Sequence, residues 1–169
     1  MDVAALDALP DDAFVAAAAP WFEGAPRFLV RLAADRPFRD ARRLFERAEA
    51  IALSMPENEQ IELINAHPRL GAPPATVSAV SFLEQGYDRE TTEAIAELDR
   101  LNADYEARFG FRFCVFVAGR PRSALVPVLR SALAADRGAE IRRALRDVVA
   151  IARDRYERAS ASQAAEIAR

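Results

Sequence analysis

The chain has 169 residues, 51% of them hydrophobic, which suits one domain spanning 1–169 with a sizeable core, since domains most often run to roughly 100–150 residues. A net charge of -3 and a pI near 5.3 argue against a nucleic-acid or anionic-membrane surface, because such partners select clustered positive charge. All 23 basic residues are arginine, the single Cys114 excludes an internal disulfide, no apolar run reaches the roughly 20 residues of a membrane span, and Met1-Asp2 lacks the basic flank of a signal peptide; a cytoplasmic protein is expected.

Prolines and glycines fall mostly between helical patterns, and the reading is an all-α, single-domain compact bundle of about eight to nine helices. The expected helices run from Asp2 to Ala8, Asp12 to Ala18, Ala25 to Ala33 and Arg39 to Ser54, then from Pro56 to Ala66. After the Gly71-Ala72-Pro73-Pro74 loop come Ser78 to Gln85 and a long helix from Arg89 to Phe109 closed by Gly110. Pro121 to Ala135 and Ala139 to about Ala161 complete the set, with the tail after about 160 expected to fray. Between Gly110 and Gly119 the run Phe111-Arg112-Phe113-Cys114-Val115-Phe116-Val117 is aromatic and β-branched, and reads as a short extended segment with no partner strand. Its backbone N–H groups must be paired, so it borrows helix ends or water, or offers its amides to a ligand.

The lone histidine, His67, stands where a helical pattern meets Pro68, and imidazole is the side chain whose ordinary pKa lies nearest neutrality. A lone histidine is more often structural than catalytic, so its company decides. Ser81, Glu84 and Gln85 fall at i, i+3 and i+4, on one helical face; Ser-x-x-Glu is also the capping-box pattern, in which both residues serve only backbone amides. On the last helix Ile141, Ala144, Leu145, Val148, Ile151 and Ala152 make one apolar face with Arg155 near its middle, while Arg142, Arg143, Arg146 and Arg153 are expected to point away. A buried arginine needs a partner: a protein carboxylate, an anionic substrate, or solvent reached by snorkelling. Asn102, among Leu98, Leu101, Tyr105 and Phe109, reads as a structural brace for a neighbouring helix end or loop. No metal-ligand spacing is present, so neither a metal nor a cofactor is expected.

In order, Ala66-His67-Pro68, Ser81-x-x-Glu84-Gln85, Leu101-Asn102-x-x-Tyr105-x-x-x-Phe109-Gly110-Phe111-x-Phe113 and Ile151-x-x-x-Arg155 closely resemble the 2-oxo-4-hydroxy-4-carboxy-5-ureidoimidazoline (OHCU) decarboxylases of urate degradation, over roughly residues 5–158. Arg112 stands where many members carry proline. The resemblance implies an all-helical, cofactor-free homodimer that converts OHCU to (S)-allantoin. It implies His67 as catalytic proton donor with Glu84, and Pro68, Ser81, Glu84, Gln85, Phe113, Cys114, Val115, Phe116, Val117 and Arg155 as substrate-binding residues. The rival expectation is a non-catalytic helical module that senses a purine-derived ligand; a proton donor beside a carboxylate favours the enzyme.

Overall fold

Helix boundaries follow the caps and prolines. The computed structural model describes residues 2–71 and 92–167. Helix α1 (Val3–Asp7) starts where Asp2 accepts the Ala5 amide at 2.7 Å, and α2 (Asp11–Ala18) follows Pro10. Helix α3 (Pro26–Ala34) has proline in its first turn, and α4 (Ala41–Ser54) is capped by Asp40 on the Arg43 amide at 2.8 Å. That cap moves the start of α4 two residues past the expected Arg39, which instead holds a left-handed φ of 73°. Helix α5 (Glu57–Ala66) begins after Pro56 and ends at His67, whose extended ψ of 142° is what a following proline requires.

Helix α6 (Thr92–Phe109) closes on Gly110, at φ 77°, whose N–H reaches the Glu106 carbonyl at 2.9 Å. The single helix expected from Pro121 to Ala135 is instead a 3₁₀ turn (Arg122–Ala124) followed by α7 (Val126–Leu133). Pro127 lacks an N–H and crowds the preceding turn, so it is accommodated only where a helix starts. Helix α8 (Arg137–Ile167) runs past the expected end near Ala161; exposed Ala161, Ala164 and Ala165 are the strongest helix formers and continue it without packing. The helix expected over Ser78 to Gln85, and with it the test of the capping box, lies outside the described residues.

Among the described residues there are eight α-helices and no strand, as the all-α reading expected. Helix α8 is the central element, packing on α4 and α5, while α6 packs on α7. Phe111 and Phe113 are alternate residues of an extended chain and so share one side of it. Both rings pack edge-on against buried Tyr105 of α6, with centroids 5.6 and 5.2 Å away. This aromatic seam fixes the 111–117 segment against α6, each buried ring contributing about 1.5–3 kcal/mol. Asn102 is fully buried and donates from Nδ2 to the Leu70 carbonyl at 2.9 Å, bracing the chain just after α5 as the sequence suggested.

Candidate active site

The end of α5, the 111–119 segment and one face of α8 enclose a cavity of about 170 Å³. Its walls among the described residues include His67, Pro68 and Leu70, then Phe113 to Gly119, and Ile151, Asp154, Arg155 and Arg158 of α8. The structure thus brings together His67, Pro68, Phe113, Cys114, Val115, Phe116, Val117 and Arg155. Ser81, Glu84 and Gln85 lie outside the described residues.

His67 is only 3% exposed. Its Nδ1 lies 3.4 Å from the Leu63 carbonyl, one helical turn back. A carbonyl can only accept, so the proton sits on Nδ1, and Nε2 carries a lone pair. Nε2 is buried and makes no hydrogen bond among the described residues, which leaves it as an acceptor in the cavity wall. Burial, reinforced by the positive charge of Arg155, holds the imidazole down to about 4, although Glu23 and the Leu63 carbonyl pull the other way. At neutral pH the group is therefore a neutral base.

Arg155, 5% exposed, takes the first of the three partners left open by the sequence. It pairs with Glu23 at 2.9 Å and donates to the Pro20 and Trp21 carbonyls at 3.1 and 3.3 Å. Glu23 itself is held at a left-handed φ of 50° in the turn after α2. The arginine thereby ties that turn to α8 while its side chain still forms part of the cavity wall.

Among the described residues the extended segment borrows side chains rather than a strand. The Arg112 amide donates to Asn65 Oδ1 at 2.9 Å, and the Arg112 guanidinium donates to the carbonyls of Asn65 and His67 at 2.9 and 3.2 Å, satisfying the C-terminal end of α5. Arg120 folds back on the carbonyls of Phe116 and Val117 at 2.6 and 3.0 Å. Arg143, expected to face away, instead lies half-buried over the Phe113 ring at 4.8 Å and donates to the Cys114 carbonyl at 2.9 Å. It also pairs with Glu140 at 2.9 Å and Asp147 at 2.8 Å. The angular reading failed here because a long arginine reaches sideways around its helix, keeping its stem against apolar surface. Glu140 and Asp147 at i-3 and i+4 were visible as ion-pair spacing, but nothing in the spacing showed what the pairs would grip. Among the described residues there is no group of three or more potential metal ligands, and no helix is long and apolar enough to cross a membrane.

The described residues define an all-helical fold in which a small pocket has a neutral imidazole in its wall and a paired arginine beside it. A family model described as OHCU decarboxylase matches residues 7–157, and the chain belongs to that family. It is 29% identical over 155 residues to the 2-oxo-4-hydroxy-4-carboxy-5-ureidoimidazoline decarboxylase of Haloferax volcanii, covering 85% of this chain and 87% of that one. It is 33% identical over 137 residues to the uric acid degradation bifunctional protein PucL of Bacillus subtilis, covering 79% of this chain but only 28% of that protein. A second bifunctional uric acid degradation protein, from Bacillus sp., is 26% identical and is likewise spanned over 28% of its length. The fold matches a crystal structure of OHCU decarboxylase determined in the presence of (S)-allantoin, with a TM-score of 0.64 at 21% identity over 78% of this chain and 89% of that one. It also matches (S)-allantoin synthase, with a TM-score of 0.67 at 18% identity over 90% of this chain and 51% of that one.

Proposed function

We propose that this protein decarboxylates OHCU to (S)-allantoin, as a cytoplasmic homodimer that needs no cofactor. Membership of the family supports the reaction, and one observation about the site carries it: a buried, neutral His67 with Nε2 available in the wall of a pocket sized for a single small heterocycle. The dimer, the compartment and the absence of a cofactor rest on the family resemblance and the sequence.

The order of proton transfer follows from the resting state of the imidazole. Because His67 is neutral near pH 7, the proton it donates must first be taken up. As the carboxylate leaves as carbon dioxide, its bonding pair moves into the conjugated ring, and solvent supplies a proton to the ring nitrogen that receives charge. Nε2 then accepts the proton of the ring hydroxyl as that carbon becomes a carbonyl. The imidazolium returns the proton to one face of the neighbouring carbon, which sets the S configuration. Positioned acid–base chemistry of this kind is worth about 10²–10⁴ in rate. In this reading Arg155, Arg158 and the 113–117 backbone hold the anionic substrate, with Ser81, Glu84 and Gln85 supplied by the segment outside the described residues.

The test is to generate OHCU in solution from urate and follow its disappearance with and without protein. Acceleration that vanishes in His67→Asn supports the assignment. Decay at the uncatalysed rate with wild-type protein would refute it.

A further inference from the structure

We propose that Arg143 and Asp147 are positioning residues that hold the Phe113–Val117 wall of the pocket in the register that selects which face of the bound ring is protonated. The inference rests on the functional reading above.

An extended chain that joins no sheet has an edge of peptide groups to satisfy. In a strand, the N–H and C=O of one residue point to the same edge, and alternate residues share it. The Cys114 carbonyl and the Phe116 amide thus lie on one edge of this segment. Arg143 Nη1 donates to the Cys114 carbonyl at 2.9 Å, and Asp147, which pairs with Arg143 at 2.8 Å, has the Phe116 amide beside its carboxylate. Arg143 and Asp147, one helical turn apart on α8, thus face this edge, with which no strand pairs among the described residues.

The pair is itself braced. Arg143 Nη1 donates to Asp147 Oδ2 at 2.8 Å, its Nε lies 3.1 and 3.0 Å from the two Glu140 oxygens, and Glu140 accepts from the Tyr105 hydroxyl at 2.8 Å. Tyr105 packs edge-on with the Phe113 ring, and the Arg143 guanidinium lies over that ring, so side chain and backbone are fixed by one network. Holding the edge that carries residues 114 and 116 turns the other edge, with the Phe113 and Val115 peptides, away from α8. Both residues line the cavity with Cys114, Phe116 and Val117, and an extended backbone alternates the direction of its peptide groups from residue to residue along that wall. A slip of one residue would reverse that pattern. Arg143 and Asp147 touch the wall rather than the ring; their effect is on orientation.

Three variants test this: Asp147→Asn, which keeps shape and loses the ion pair; Arg143→Lys, which keeps charge and loses the fork; and Arg143→Met with Glu140→Gln and Asp147→Asn, which removes the arginine together with both carboxylates it pairs. On each, amide exchange over 112–118, melting temperature, kcat, KM and the enantiomeric excess of allantoin are measured. The clamp predicts exchange at least about tenfold faster in the segment than in wild type, with α8 unchanged. It also predicts a KM raised by about tenfold, kcat within about threefold, and a loss of (S) excess, since misorientation of the ring weakens selection of its face. Protected amides, or mobile amides with wild-type KM and enantiomeric excess, would overturn the proposal. Racemic allantoin from the wild-type protein would sink the functional reading and the stereochemical role with it, while the exchange data would still decide whether the clamp exists.

Discussion

The neutral state of His67 has a consequence for stability that is independent of catalysis. The ordinary pKa of 6.5 applies to the unfolded chain, and burial lowers it to about 4 in the folded one. Below pH 6.5 the unfolded state therefore binds a proton that the folded state refuses, so stability falls with falling pH down to about 4, below which both forms are protonated and the loss is complete. Above pH 6.5 neither form is charged and the residue contributes nothing to the slope. At about 1.4 kcal/mol per unit, the loss across that window is about 3 kcal/mol. His67→Asn carries no titrating group and lacks it, so the urea stability of the wild type minus that of the variant should decline by about 3 kcal/mol from pH 6.5 to 4. His67 is the only histidine in the chain, so its ring resonance can be followed in parallel without ambiguity. Parallel stability curves for the two proteins, or a ring titrating near 6.5, would refute the buried-base argument.

Arg155→Leu should cost about 3–5 kcal/mol, because it removes a buried ion pair with Glu23 and the donor to two carbonyls. Adding Glu23→Gln should return part of that in a thermal melt. Asn102→Ala should cost about 1–3 kcal/mol by leaving the buried Leu70 carbonyl without its donor, and an unchanged urea midpoint would contradict the brace. Glu84→Gln should lower kcat/KM at least about tenfold, roughly 1.4 kcal/mol, with little change in melting temperature; wild-type kinetics would leave Glu84 as a cap only. Turnover should survive exhaustive chelation, and activity lost to a chelator and restored by a divalent ion would contradict the cofactor-free mechanism.

What could be read from the sequence was local. His67-Pro68 marks a helix end because proline restricts the residue before it, and Gly110 marks another because a left-handed φ favours glycine. Phe111 to Val117 announced itself by composition, and Asn102 by polarity on an apolar face. What could not be read was contact across long separations. Asn65 holds the Arg112 amide from 47 residues away, and Glu23 meets Arg155 across 132. Helical angles placed Arg155 on the buried face correctly, yet they placed Arg143 outside, because they locate Cα atoms and not the tips of long side chains. Arg112 shows the same limit: it differs from the proline common in the family, and only the fold reveals that its guanidinium closes the end of α5 beneath His67.

The central claim is that His67 returns one proton to one face of the ring. The most direct measurement is the circular dichroism of allantoin formed from OHCU generated in solution, with wild-type protein and with His67→Asn at equal concentration. The account predicts a strong (S) signal from the wild type and racemic product, at the uncatalysed rate, from the variant. Undiminished (S)-allantoin from His67→Asn would contradict it.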